Sequence, residues 1–218
     1  MSTPESLVID VVSDVVCPWC YVGKKRLETA LDLVPEVPTE LRWRPFQLDP
    51  TIPPQGVPRA AYMEKKFGSL DKIAPIHARL NALGHEIGIP FDFAAITISP
   101  NTLDAHRLIR WAFGERQDAM VETLFRAFFV EGKNLADHDV LADLAGSADL
   151  LRAEVRAALD TDEDMATVNR EIAAAQELGI QGVPFFIFGQ KYAVSGAESP
   201  AHLAAAIRQA AGLATPDA

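Results

Sequence analysis

The 218-residue chain contains two cysteines, and both fall in one tetrapeptide, Cys17-Pro18-Trp19-Cys20. The segment before it, Leu7 to Val12, is an apolar, β-branched run suited to a buried strand. The segment after it, Tyr21 to Val34, places Leu27, Ala30, Leu31 and Val34 at helical spacing. A cysteine in the first turn of a helix has unpaired backbone N–H groups and the positive end of the helix dipole near its sulfur. Both favour the thiolate, which is the nucleophilic form. Cys20 lies one helical turn further on and more buried, where it can attack a mixed disulfide formed on Cys17 and release the product. Pro18 suits the first turn, because the N–H it lacks would have no helical partner there. The expected chemistry is thiol–disulfide exchange, with a redox-active Cys17–Cys20 disulfide and no tightly bound cofactor.

Other uses of the pair fit less well. A structural zinc needs about four ligands, commonly two more Cys or His at close spacing. No second C-x-x-C is present, and His77, His85, His106, His138 and His202 are scattered, so no metal site is expected. A purely structural disulfide here would close a tiny loop and restrict the unfolded chain very little.

Gly182-Val183-Pro184 precedes the apolar run Phe185 to Phe188. A proline opening a strand is compatible with a cis bond in a tight turn, and Val183 would then offer free N–H and C=O groups beside the cysteines to a peptide or thiol tripeptide. Read from the residues alone, an ordinary trans proline is favoured, since only about 5–6% of X–Pro bonds are cis. Asp14, three residues before Cys17, reads as a solvated loop residue, with a proton relay from Cys20 as the alternative. Trp19 is expected to be exposed beside Cys17 and to supply contact area. Asn101 and Asp104 read as a cap pair for the helix that carries His106. Phe125, Phe128 and Phe129 share a helix face and read as core.

The elements that must hold these residues follow in a clear order. After the first strand and helix, Pro35 and Pro38 end the helix, and Leu41 to Leu48 reads as a strand whose Pro45 disfavours a central place in a sheet. A proline-rich break spans Pro50 to Pro58. Helical patterns then cover Arg59–Phe67, Leu70–Ile87, Thr102–Phe113, Met120–Val130, Asp139–Ala145, Leu150–Leu159 and Asp162–Leu178. Two strands about a Gly189-Gln190 turn and a final amphipathic helix, Ser199 to Ala211, complete the chain.

Composition sets the outer bounds. Apolar residues make up 49%, so a packed fold is expected. Lys and Arg number 20 against 30 Asp and Glu, a net charge of −10, which argues against a nucleic-acid partner held by phosphate neutralisation. No apolar run reaches the roughly 18 residues of a membrane helix, so no membrane partner is expected. Met1 to Ser6 has neither the basic region nor the apolar core of a secretory signal, which leads to a cytoplasmic expectation.

Four segments carry a resemblance. Ser13-Asp14-Val15-Val16-Cys17-Pro18-Trp19-Cys20-Tyr21-Val22-Gly23 is the first, and Asn101-Thr102 with Ala105-His106 the second. The others are Gly179-Ile180-Gln181-Gly182-Val183-Pro184-Phe185-Phe186 and Val194-Ser195-Gly196-Ala197. Together they resemble the FrnE-like branch of the DsbA family, within the thioredoxin superfamily. The resemblance implies an α/β class protein, a thioredoxin fold with an inserted all-helical domain. Residues 1–57 and 161–218 would form the discontinuous thioredoxin-fold domain, and 58–160 the insertion that lids the site. It also implies that Pro184 is a cis-proline facing the cysteines, supported by Pro18, Trp19 and Val183, with Asn101 and His106 as candidates for lining the cleft.

The same branch is similar to 2-hydroxychromene-2-carboxylate isomerases and kappa-class glutathione transferases, which usually carry serine where Cys17 stands. Their glutathione sites match Val183 and the Gly196-Ala197-Glu198-Ser199 turn, with Ser199 as a simple helix cap for the competing reading. The expected function is therefore a thiol–disulfide oxidoreductase acting on thiol or disulfide substrates, with glutathione as a potential co-substrate. Its rivals are a glutathione-dependent isomerase or transferase of small aromatic or polyketide-type substrates, and a non-catalytic peptide-binding protein. The oligomeric state is open, a homodimer included.

Overall fold

The computed structural model describes residues 6–213. The outermost residues of the expected thioredoxin-fold domain, 1–5 and 214–218, lie outside the described residues, as does most of the segment read for a secretory signal.

Four strands form the main sheet in the order β2-β1-β5-β6. They are β1 (Leu7–Ser13), β2 (Thr39–Pro45), β5 (Phe185–Phe188) and β6 (Tyr192–Ser195). β1 pairs parallel with β2 and antiparallel with β5, so it is internal, which explains its largely apolar run; the one charge in it, Asp10, is paired with Arg44 of β2 at 2.6 Å. β2 is the edge strand, where Pro45 costs no ladder bond. Phe46 N–H still reaches Ser13 C=O at 3.0 Å, while Trp43 N–H turns outward and donates to Gln117 Oε1 at 3.3 Å. That side chain and Pro45 blunt the open edge against pairing with another strand.

Helix α1 (Pro18–Asp32) leaves the C-terminal end of β1. Its seat on the sheet depends on Gly23. A Cβ placed there would stand 2.8 Å from Cγ of Pro184 and 3.3 Å from Cζ of Phe186. The absence of a side chain is what lets α1 lie directly on the start of β5.

The inserted elements begin with two short strands that sequence patterning did not mark, β3 (Val57–Pro58) and β4 (Ile98–Ser99), which pair antiparallel. Two residues each are too few to show a period. Between and after them come α2 (Arg59–Phe67), α3 (Ala74–Ile87), α4 (Leu103–Trp111), α5 (Arg116–Phe129), α6 (His138–Leu144) and α7 (Arg152–Leu159). Phe125, Phe128 and Phe129 of α5 are fully buried, as expected of core. Tyr21 of α1 stacks on Phe125 with ring centroids 5.0 Å apart, so one apolar cluster runs from the cysteines into the helical segment.

A charged seam fixes the same contact. Lys24 of α1 is only 2% exposed, and its ammonium meets Glu28, Asp118 at 2.9 Å and Glu122 at 3.3 Å. Burial alone would pull this ammonium's pKa down, but Asp118 and Glu28 outweigh it and hold the pKa above the ordinary lysine value. Tyr21 donates to Glu122 at 2.8 Å, and burial followed by that carboxylate pushes the phenol well up.

The chain returns to the sheet through α8 (Met165–Glu177), and α9 (Pro200–Ala210) closes it. The return is anchored by one side chain. Arg107 of α4, fully buried, donates to the carbonyls of Ala158, Thr161 and Glu163 at 2.8, 2.7 and 2.6 Å, and to Asp104 at 2.7 Å. One guanidinium thus satisfies the carbonyls left over at the end of α7.

Two local details differ from the sequence expectation. The hairpin connection has three residues, Gly189 to Lys191, because Phe188 pairs with Tyr192. Gly189 and Gln190 form its turn, with φ of 57° and 59°. The cap of α4 is Thr102 rather than an Asn101–Asp104 pair, and Asp104 instead holds Arg107.

Two outcomes test these contacts. Arg107→Met keeps the apolar stem but takes the donor from the Thr161 and Glu163 carbonyls and leaves Asp104 only His138, and should cost about 3–5 kcal/mol in urea unfolding. Gly23→Ala gains about 1 kcal/mol of helix propensity but forces a contact with a rigid ring. Overpacking of that kind costs about 1–3 kcal/mol, so the variant should melt lower than the parent.

Candidate active site

The two sulfurs lie where β1, α1 and β5 meet. Cys17 is the N-cap of α1, with extended backbone (φ −93°, ψ 111°), one position earlier than the first turn expected from the pattern. Pro18 occupies the first helical position. A tight turn sets this up: Cys17 N–H donates to Asp14 C=O at 3.0 Å, and Cys17 C=O accepts from Cys20 N–H at 3.0 Å. Both thiols are free, Cys17 5% and Cys20 1% exposed. Burial raises the Cys20 pKa well above the ordinary thiol value, and Cys17 adds to the shift. The Asp14 backbone N–H and the Ser13 hydroxyl act on the Cys20 sulfur in the opposite, weaker sense.

Val183 and Pro184 face Cys17 from the other side. The Val183–Pro184 bond is cis. The Cys17 thiol donates to Val183 C=O at 3.6 Å, so this carbonyl is engaged, not free as the sequence reading had it. Val183 N–H has no partner among the described residues. Pro184 C=O accepts from Gly196 N–H at 2.8 Å, which ties the strand start to the turn before α9. In that turn Ala197 C=O accepts from Arg26 of α1, Glu198 is exposed, and Ser199 Oγ accepts from His202 N–H at 3.3 Å. Ser199 thus caps α9.

Two expected roles change. Trp19 is half-buried, not exposed, because α3 reaches over it and places the Arg79 guanidinium 5.7 Å from its ring centre. Asp14 is buried, not solvated. Its carboxylate accepts from Leu48 N–H at 2.8 Å and stands 3.5 Å from His106 Nε2, so it ties the loop after β2 to the loop before Cys17. His106 Nε2 also faces Phe46 C=O at 2.9 Å. Asn101 accepts from Gln47 and Leu103 N–H and donates to Ile52 C=O, which spends its amide on holding that loop.

A cavity of about 1080 Å³ runs along the outer side of β2, past Trp43, His106, Trp111 and Phe113. Its size does not make it the thiol site, since none of Cys17, Cys20, Trp19, Val183 or Pro184 lines it. Among the described residues no group of three or more His, Cys, Asp or Glu could hold a metal, and no helix is long and apolar enough to cross a membrane.

Sequence reasoning passed over Gly23, Arg26 and Arg79. Gly23 was visible as a glycine inside a helical pattern, which costs propensity and therefore signals a close approach. The two arginines gave no signal, because a solvated face carries the same residues.

Comparison with known proteins agrees with this geometry. The family model described as a DSBA-like thioredoxin domain matches residues 8–208. The uncharacterized protein YwbO of Bacillus subtilis is 32% identical over 184 residues, 83% of this chain and 86% of its own. The crystal structure of a protein described as a probable DsbA oxidoreductase from Streptomyces coelicolor superposes with a TM-score of 0.87 at 32% identity, covering 97% of this chain and 93% of that one. The cytosolic disulfide reductase DsbM of Pseudomonas aeruginosa, solved with GSH, shares the fold at 19% identity and a TM-score of 0.65, over 94% of this chain and 100% of its own. With residues 8–208 matched and the two 32% identical relatives covering most of its length, the chain belongs to the DsbA-like thioredoxin domain family.

Proposed function

We propose that this protein is a thiol–disulfide oxidoreductase working through Cys17-Pro18-Trp19-Cys20. The observation that carries the reading is the asymmetry of the two thiols. Cys17 caps a helix beside Val183, while Cys20 lies one turn deeper with burial holding its proton on. The Cys17 thiolate attacks one sulfur of a substrate disulfide, the S–S bond breaks, and the far half leaves as a thiolate. Val183 C=O then loses its thiol donor and can accept from the N–H of an extended substrate, while Val183 N–H can donate to it. Forming the mixed disulfide also removes the influence of Cys17 that helps keep Cys20 protonated, whereas Ser13 and Asp14 remain. Cys20 gives its proton to the departing thiolate and attacks the Cys17 sulfur. The second half is released, two electrons have passed to the substrate, and a Cys17–Cys20 disulfide is left.

Two thiols of glutathione would return the pair to the dithiol in a cytoplasmic setting, a reading favoured by the likeness to a cytosolic reductase solved with GSH. The elements of 58–160 act as the cover, since α3 lies over Trp19. A glutathione-dependent isomerase would instead use a single thiol-binding site and need no Cys20.

Two measurements test the reading. Cys20→Ser should accumulate a mixed disulfide with glutathione on Cys17, seen as an adduct by mass spectrometry, and Cys17→Ser should accumulate none. Equal adducts on both variants, or isomerase turnover that survives loss of Cys20, would overturn it.

The second follows from the raised Cys20 pKa. Below the ordinary thiol value of 9.0 Cys20 is protonated in both folded and unfolded chains. Above it the unfolded chain loses the proton and the folded one keeps it, so stability falls as pH rises, by up to about 1.4 kcal/mol per pH unit. Reduced protein should therefore lose stability between pH 9 and 10 more steeply than Cys20→Ala in urea titrations.

A further inference from the structure

Arg79 combines an unneutralised charge with a seat on the cysteine motif. The chain carries a net charge of −10, and Arg44, Arg107, Arg110, Arg156 and Arg208 each reach a carboxylate. Arg79 is exposed and reaches none among the described residues, although its guanidinium lies over Trp19, the residue between Pro18 and Cys20. The indole face holds the planar cation by cation–π attraction, and the in-plane N–H donors stay open to solvent. Its surroundings do not neutralise it. Residues 59–88 carry five Lys or Arg against three Asp or Glu. Arg59, at the start of α2, also lacks a carboxylate among the described residues. It lies 5.8 Å from the centre of the Phe128 ring, and its charge adds to burial in lowering the pKa of His77 on α3. One unneutralised guanidinium, that of Arg79, therefore stands over the Trp19 of the Cys17-Pro18-Trp19-Cys20 segment of an acidic protein.

We propose that Arg79, presented on Trp19, is a specificity-determining residue that selects disulfides bearing a carboxylate next to the exchanging sulfur. The inference rests on the thiol-exchange reading above. The fork of a guanidinium matches a carboxylate in two parallel N–H bonds, and its place over Trp19, two residues after Cys17, lets it orient the disulfide as well as attract it. Acidic protein segments and small thiols with free carboxylates offer the same group, and substrates of both kinds are compared below.

The experiment follows single-turnover oxidation of the reduced full-length protein at low salt. The oxidants are two peptide disulfides, with Glu or Gln beside the cysteine, glutathione disulfide, and neutral 2-hydroxyethyl disulfide. The wild type should favour the Glu peptide over the Gln peptide by about two- to fivefold, the range of an exposed ion pair, and high salt should erase the preference. Arg79→Gln should bring that ratio to one and Arg79→Glu should invert it. Arg170→Gln, which removes an exposed charge from α8, should leave the ratio as in the wild type. A matching loss for glutathione disulfide relative to 2-hydroxyethyl disulfide extends the site to small thiols, and a loss confined to the peptides assigns it to acidic protein substrates. An unchanged Glu-to-Gln ratio in Arg79→Gln, or an equal fall for all four oxidants, overturns the proposal. If the wild type reduces none of them, the thiol-exchange reading fails and takes this one with it.

Discussion

The approach of α1 to the start of β5 governs the active end of this protein. At Gly23 the helix lies so close to Pro184 that a single methyl group would collide with the ring. That contact sets the height of α1 above the sheet. The height in turn places the helix N-terminus, and with it Cys17, within 3.6 Å of Val183 C=O. The turn before α9 is drawn into the same arrangement, through Gly196 N–H on Pro184 C=O and Arg26 on Ala197 C=O. A wider spacing would loosen all of these at once, because close-packed interiors transmit small displacements rather than absorb them.

The helical segment is not a separate appendage to that centre. Tyr21 and Lys24 stand one and two turns into α1, and they carry the contacts that dock α5. The same helix therefore presents the thiols at one end and anchors α5 along its side. Lys24 is a buried charge, and such groups persist only when partners compensate their desolvation. Its three carboxylates do this, and two of them, Asp118 and Glu122, specify one register of α5 against α1. Arg107 performs a parallel task at the far end of the segment, where it collects the carbonyls of the chain returning toward α8.

Charge has a second use nearer the sulfurs. The buried Asp14 faces His106 and the Leu48 amide, and it fixes the loop that leads into Cys17. Arg79 lies outside, exposed to solvent. The buried Asp14 organises the loops of the site, whereas Arg79 stays open to solvent. The division follows from screening, since pairs in the interior are held strongly and those at the surface remain exchangeable.

Local patterning was enough to mark the strand, the cysteine pair and the helix behind it, because period, β-branching and the two-residue spacing are all short-range signals. It also placed Pro45 at a sheet edge and the three phenylalanines of α5 in the core, since both follow from rules that act on single elements. The cis geometry at Val183–Pro184 was beyond it, as were the burial of Asp14 and the half-burial of Trp19. Each depends on a segment far away in sequence: Pro184 lies against Gly23, Asp14 under Leu48 and His106, and Trp19 beneath Arg79. Side-chain type alone cannot tell a solvated aspartate from a buried one, or a free arginine from a paired one. That distinction arises only when the folded chain fixes which groups share a dry neighbourhood, and the tertiary structure alone makes that assignment.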